Sequence, residues 1–228
     1  MAHYFPLFLY YSLTSTTDTA RTLIAEGKER GLVVAYTQSK GRGNFGRSWS
    51  SPEGNFYGTL FFPKTPINPS LILYMMAHLI KKVSPYIENG LSFRWPNDLL
   101  FYDKKVGSVF LEHEGDHALI GININLKVSP EPMDQSITCL FDDPNIQIEL
   151  PQFSDVLKEG LEASFNLPFA EVRDFCTKRL SDLKSPRTFN TKKGEVQGTI
   201  KGINENGCLL LKNPDGTVTT LSPEDLTN

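Results

Sequence analysis

Cysteine is scarce. The 228-residue chain has three, Cys139, Cys176 and Cys208, with no CxxC pair and no metal-type spacing. A low, odd count excludes a disulfide scaffold and fits a reducing compartment. Cys208, inside Gly207-Cys208-Leu209-Leu210, reads as apolar filler rather than a nucleophile. An excess of charge of one sign is missing too. Lys and Arg total 23 against 26 Asp and Glu, a formal net charge of −3, which gives no overall footprint for nucleic acid. Basic residues gather only locally, around 40–47 and 103–105. The longest apolar run, near 71–80, is too short to span a bilayer. The opening MAHYFPLFLYY lacks a basic leader and is interrupted by Pro6, so it reads as a strand and not a signal peptide. These absences point to a cytoplasmic protein without membrane or nucleic-acid partners. Internal repeats and low-complexity tracts are likewise missing.

What is present suits a packed core. Hydrophobic residues make up 39% and charged residues 21%, and fifteen Phe and eight Tyr supply large apolar side chains. Residues 7–13 and 32–37 read as strands. Between them Ser15-Thr16-Thr17-Asp18 offers helix-capping groups, and Gly27 offers a stop. An aromatic strand follows at 56–62, then an apolar helix at about 70–83 opened by Asn68-Pro69. Strands are expected at 91–95, 98–102, 106–113 and 117–126, the last two joined through Glu114-Gly115-Asp116 as a hairpin. Two helices are expected at about 152–165 and 169–183. Lys184-Ser185-Pro186 reads as a linker, dividing a main domain at 1–184 from a glycine-punctuated β appendage at 185–228. Hairpins beside helices favour an α+β class with a mixed sheet.

Two short motifs match by letters and fail on context. Gly41-Arg42-Gly43-Asn44-Phe45-Gly46 fits GxGxxG, but a dinucleotide fingerprint needs a helix next, and Arg47-Ser48-Trp49-Ser50-Ser51-Pro52 is loop. The loop does suit an anion: glycines let backbone N–H groups converge, and Lys40, Arg42 and Arg47 add charge. His113-Glu114-Gly115-Asp116-His117 fits HExxH, but Gly115-Asp116 between strand-like runs makes a hairpin where a zinc protease needs a helix. No metal site is expected from protein ligands.

Three segments, in order, carry a resemblance: GRGNFGRSWSSPEGN at 41–55, RWPNDLLFYDKKVGSVFLE at 94–112 and IGININL at 120–126. They resemble the motifs GRGRxGRxWxSPxGN, KWPNDL…KxxGILxE and GxGxNV of the biotin protein ligase family. Ser15-Thr16 is similar to that family's early Ser-Thr-Asn. The resemblance implies a catalytic domain like that of class II aminoacyl-tRNA synthetases, followed by a small C-terminal SH3-like β-barrel. It further implies a ligase that joins biotin to ATP as biotinyl-5'-AMP and then transfers biotin to a lysine of a biotin carboxyl carrier protein, an acetyl-CoA carboxylase subunit. ATP with Mg²⁺ is the implied cofactor and biotin the substrate. With nothing before the catalytic region, the chain is similar to the monofunctional kind that has no DNA-binding domain.

The same resemblance assigns roles. Lys105 holds the biotin carboxylate against the α-phosphate, Arg42 neutralises the reacting groups, and Asp98 orients or deprotonates the carrier amine. Ser15, Thr16, Gln38, Gly41, Arg42, Lys105, Ser108 and Asn123 fall at biotin-site positions. Arg47, Trp49, Asn97 and Asn125 fall at nucleotide-site positions. Four residues depart from the pattern: Thr17 stands for Asn, Asn44 for Arg, and Ser108 and Asn123 for glycines. Glycine permits close backbone approach. A side chain at either of the last two positions therefore narrows the pocket or replaces a backbone contact with a side-chain hydrogen bond. The glycines of 41–47 predict a mobile loop without ligand. The chain could be a monomer or a homodimer, with sheet edges near 117–127 as one dimer surface. Two further readings stay open: a lipoate- or octanoate-attaching relative on the same scaffold, and a degenerate, non-catalytic small-molecule binder.

Overall fold

A computed structural model describes residues 5–64, 68–87, 90–129, 137–143, 145 and 148–227. In chain order the first sheet comprises β1 (Leu7–Leu13), β2 (Gly31–Gln38), β3 (Phe56–Pro63), β4 (Leu91–Arg94), β5 (Asp98–Phe101), β6 (Lys104–Glu114) and β7 (His117–Ile124). The strands lie side by side as β1-β2-β3-β7-β6-β5-β4. Only β1 and β2 run parallel; the other neighbours are antiparallel, so the sheet is mixed as expected. The β6–β7 hairpin turns through Gly115, at φ +57°, as the sequence anticipates for this segment.

Alternation divides the sheet into two faces. Helix α1 (Thr16–Ala25) covers one face and packs Ala20 and Leu23 on Val33, Phe61 and Leu119. Its start is capped by Ser15, whose hydroxyl accepts from the Thr17 amide at 3.2 Å. The opposite face carries α2 (Ser70–Val83), α3 (Leu150–Lys158), α4 (Leu161–Phe165) and α5 (Phe169–Lys178). There Leu60, Val109, Ile120 and Ile122 meet Leu73, Met76 and Ile80 in one apolar cluster. Buried within that layer, Cys176 has its thiol pushed up to about 12, so it stays neutral. None of the helices is long and apolar enough to cross a membrane.

Three expected elements differ. The helix expected at 152–165 is broken by Gly160 at φ +70°, a conformation glycine adopts without penalty. The helix expected at 169–183 ends at Lys178, because the next residues serve the sheet: Leu180 bridges Phe93, and Ser181 N–H donates to the Phe93 carbonyl at 3.0 Å. The expected SH3-like barrel is not formed. Strands β8 (Pro186–Thr191), β9 (Gly194–Ile203), β10 (Leu209–Lys212) and β11 (Val218–Leu221) make an open antiparallel sheet ordered β11-β10-β9-β8. Closure would require β8 to pair along β11; among the described residues the two ends meet only at a bridge between Thr191 and Leu226. The apolar face does not need to close on itself. Ile200, Ile203, Leu209, Leu211 and Leu221 bury against the same cluster as Leu73, Val172 and Cys176.

His78 of α2 fastens the helical layer. It is buried, with Nε2 2.7 Å from the Leu157 carbonyl and Nδ1 2.8 Å from Ser164 Oγ. A carbonyl only accepts, so Nε2 carries the proton and Ser164 donates to Nδ1. Burial lowers the His78 pKa; the Leu157 carbonyl opposes that shift, and Lys82 and Lys81 reinforce it. A folded-state pKa below the unfolded value of about 6.5 means the unfolded chain takes up the proton first. The stability from neutral His78 is therefore complete above about pH 6.5 and is lost as pH falls towards the folded pKa. Urea midpoints should drop between pH 7.5 and pH 5, and His78→Gln should flatten that drop. Parallel pH dependence in the two proteins would disprove the assignment.

Candidate active site

Cross-strand register sets the site. On the α1 face, Tyr57, Asn123, Ser108 and Asp98 lie in one row across β3, β7, β6 and β5, and Thr59, Gly121 and Phe110 lie in the next. Gly121 is required there, since a Cβ would sit 2.0 Å from the Phe110 ring. The pairing of β5 with β6 slips between Leu99 and Leu100: Leu99 faces Gly107, but Leu100 faces Lys105. The extra residue, Val106, joins the core on the helical side, and Lys105 swings to the face that bears Asp98.

Lys105 Nζ then lies 2.7 Å from Asp98 Oδ1, both side chains largely shielded from solvent, and 5.5 Å from the centre of the Trp49 ring. The chain between β4 and β5 turns through Trp95-Pro96-Asn97, with a cis bond before Pro96. Asn97 Nδ2 donates to Ser108 Oγ at 3.0 Å. Asn123 Nδ2 donates to the Arg42 carbonyl at 2.8 Å. Asn125 Nδ2 donates to the Thr138 carbonyl at 3.2 Å. Two buried polar atoms at this end find no hydrogen-bond partner among the described residues, Trp49 Nε1 and Asn125 Oδ1. A donor and an acceptor left this way are costly unless a ligand engages them.

The glycine-rich segment is a tight hairpin. Arg42 bridges Ser48, Gly43 N–H donates to the Arg47 carbonyl at 2.8 Å, and Trp49 N–H donates to the Gly41 carbonyl at 2.8 Å. Gly41 cannot carry a Cβ without approaching Ser51 Oγ to 2.3 Å and the Trp49 carbonyl to 2.4 Å. The Arg42 guanidinium pairs with Asp18 at 2.7 Å and faces Glu112 at 3.9 Å, while Arg21 binds Glu112 and Glu114. Burial disfavours the Arg21 charge, but its hydrogen bonds and the acidic groups outweigh this and raise its pKa. Arg47 is exposed and forms no ion pair with a described residue.

A buried polar cluster occupies the other end. Gln38 Oε1 accepts from the Thr16 amide at 2.8 Å and from Thr16 Oγ1 at 3.2 Å, and Gln38 Nε2 donates to Ser51 Oγ at 3.1 Å. Thr59 Oγ1 lies 2.9 Å from Thr16 Oγ1 and 3.1 Å from Thr17 Oγ1. Thr59 lies outside the motifs, and Ser51, although it matches the serine of the first motif, had no assigned role. Register could have found Thr59, which sits opposite Gly121 on the α1 face. A cavity of about 820 Å³ opens beside the hairpin tip, over Asn44 and Gly46, and runs along Phe110 and Glu112 to Pro223 and Glu224. The structure thus brings Arg42, Trp49, Asn97, Asp98, Lys105, Ser108 and Asn123 into one region, joins Thr16, Gln38 and Gly41 to it through Ser51, and leaves Arg47 outside.

Comparison with known proteins adds to this geometry. The profile of the Biotin/lipoate A/B protein ligase family matches residues 9–129, more than half of the chain. The biotin–[acetyl-CoA-carboxylase] ligase of Paracoccus denitrificans is 28% identical over 223 residues, covering 89% of this chain and 93% of that protein. The biotin protein ligase of Aquifex aeolicus, solved with biotin and ATP, superposes with a TM-score of 0.85 at 22% identity, covering 98% of each chain. The Leishmania major enzyme with biotinyl-5-AMP gives a TM-score of 0.70 at 25% identity, covering 95% of this chain and 98% of that one.

The Lys105–Asp98 pair has a measurable energetic signature. Asp98→Ala should cost about 1–3 kcal/mol, less than the ~3–5 kcal/mol of a fully buried pair because some solvent reaches both groups. Adding Lys105→Met should recover part of that loss, since no unpaired ammonium remains. Urea unfolding of both single variants and the double variant checks this; additivity within about 0.5 kcal/mol would show that the two are not coupled.

Proposed function

This chain belongs to the Biotin/lipoate A/B protein ligase family, and from that premise we propose that it activates biotin with ATP and transfers it to a lysine of a biotin carboxyl carrier protein. In the first step a biotin carboxylate oxygen attacks the α-phosphorus of ATP; the bond to the bridging oxygen breaks, and pyrophosphate leaves. In the second step the carrier amine attacks the carbonyl carbon of biotinyl-5'-AMP. An amide forms, AMP departs, and the amine gives up a proton. The first step brings two anions together, so positioned positive charge lowers its barrier.

The observation that carries this reading is the Lys105 ammonium, held 2.7 Å from Asp98 and beside Trp49, next to the unpartnered Trp49 Nε1 and Asn125 Oδ1. Lys105 orients the carboxylate towards the α-phosphate. Once Lys105 turns to that anion, Asp98 is released and can accept the proton of the carrier amine. Arg42 neutralises the developing charge, and Arg47 meets the triphosphate. Trp49 packs on the adenine, with Asn97 and Asn125 as further nucleotide contacts. Magnesium fits as a companion of the triphosphate, bound mainly by substrate oxygens and few protein groups. Asp98 and Asn97 would supply what side-chain oxygens it takes from the protein, and it would neutralise phosphate charge. A reaction consuming ATP and serving a carboxylase carrier is consistent with a cytoplasmic location.

The polar cluster favours biotin over a fatty acid. A ureido ring offers two N–H donors and one carbonyl acceptor, which suit Ser15, Thr16, Gln38 and the backbone at Gly41. Octanoate would leave that buried set without new partners, and sites built around hydrogen bonds reject ligands that lack them. Biotin-dependent exchange of labelled pyrophosphate into ATP tests the proposal without the carrier. Exchange is expected with biotin and not with octanoate or lipoate. Lys105→Ala should slow it by about 10²–10³, the range for loss of one preorganised charge-stabilising group. Wild-type exchange without biotin dependence, or full activity in Lys105→Ala, would refute the assignment.

A further inference from the structure

Asn123 and Ser108 stand where the family pattern has glycines, and they face each other directly across β7 and β6. Both are buried. Neither fills space passively. Ser108 Oγ accepts from Asn97 Nδ2 at 3.0 Å, which ties the strand to the Trp95-Pro96-Asn97 turn. Asn123 Nδ2 donates to the Arg42 carbonyl at 2.8 Å, which ties the sheet to the glycine-rich hairpin. A glycine pair could make neither bond. We propose that Asn123 is a positioning residue that holds the 41–49 hairpin on the sheet before ligand arrives, so that this chain keeps its anion-binding loop folded.

Three features make the bond consequential. The Arg42 carbonyl sits at the base of the hairpin, between Gly41 and Gly43, where no local side chain restricts the backbone. The hairpin's inner bonds, Gly43 N–H to the Arg47 carbonyl and Trp49 N–H to the Gly41 carbonyl, fold it without fixing it to the sheet; its two ends are held where Lys40 N–H donates to the Thr14 carbonyl and where Ser51, bound by Gln38, donates to the Trp49 carbonyl. The Asp18–Arg42 ion pair at 2.7 Å does reach outside, but it involves partly exposed groups, and an incoming anion competes with it. Asn123 therefore supplies a buried backbone anchor that the ligand does not displace. A loop ordered in advance removes the fraction of misfolded loop from the apparent ligand affinity.

The test uses the full chain and two variants. Asn123→Asp keeps the shape and replaces the donor with an acceptor that repels the Arg42 carbonyl; Asn123→Gly restores the family residue. Trypsin cleavage after Lys40, Arg42 and Arg47 in the ligand-free protein reads hairpin opening. It should be slow in the wild type and rise roughly 2- to 12-fold in both variants, the span of one ordinary hydrogen bond. Cleavage after Lys178, in α5, should not change. Biotin with ATP should protect the hairpin in all three proteins. The biotin KM for pyrophosphate exchange should rise by a similar factor, with less of the effect in kcat; this readout and the protection by biotin with ATP rest on the proposed function, whereas cleavage of the ligand-free protein does not. Wild-type cleavage rates in Asn123→Gly would overturn the inference, as would acceleration at Lys178 in step with the hairpin. Absence of exchange in the wild type would count against the ligase reading and leave the cleavage result to decide this one.

Discussion

An ammonium mostly withdrawn from water needs a partner, and the far half of the sheet is arranged to give Lys105 one. Lys105 and Ser108 are three residues apart, so in a regular strand they would point to opposite faces. The register slip between Leu99 and Leu100 removes that parity. Val106 turns into the core, and Lys105 joins Asp98 on the α1 face. Without the bulge the lysine would point towards the helical layer, where a charge is far more costly than in the cleft. The same crowding explains Gly107, whose Cβ would come within 2.5 Å of the Asn123 carbonyl. One local irregularity between β5 and β6 thus sets which face of the sheet carries the charge.

Local patterns were enough to read most of the fold. The Glu114-Gly115-Asp116 turn, the apolar α2 run and the Ser15 cap each depend on residues close in sequence, and each is where it was expected. Elements shaped by distant partners were not legible. Nothing near Gly160 reveals whether it bends a helix or ends one. Nothing in 179–183 reveals that Leu180 and Ser181 are taken up by Phe93. The C-terminal strands show the apolar alternation of a barrel, but alternation states only that one face is covered. Here the helices α2 and α5 cover it, so the sheet stays open.

The candidate site divides the same way. Arg42, Trp49, Asn97, Asp98 and Lys105 were legible through the ordered motifs, and the structure gathers them. Thr59 was not, since a threonine in an aromatic strand has ordinary structural uses, and Ser51, although it matches a motif serine, carried no assigned role. Only pairing across strands shows that Thr59 lies over Gly121 and against Thr16 and Thr17. The Val106 bulge was also invisible, because Asp103-Lys104-Lys105-Val106-Gly107 carries no signal for which residue is the extra one.

Asn123 and Arg42 divide the work of the hairpin between backbone and side chain. The carbonyl of Arg42 is anchored inward, to Asn123. Its guanidinium pairs with Asp18 and faces Glu112. If Arg42 serves the two anionic substrates of the proposed function, exchangeable carboxylates suit it: a bidentate anion can displace a partly exposed ion pair, which is worth little in itself. Because the backbone is fixed separately, the guanidinium can change partners by rotating about its own side chain while Gly41 and Gly43 stay in place. The departure from glycine at 123 and the acidic pair at 18 and 112 are therefore two parts of one arrangement, in which the loop keeps its position and only its charge is exchanged.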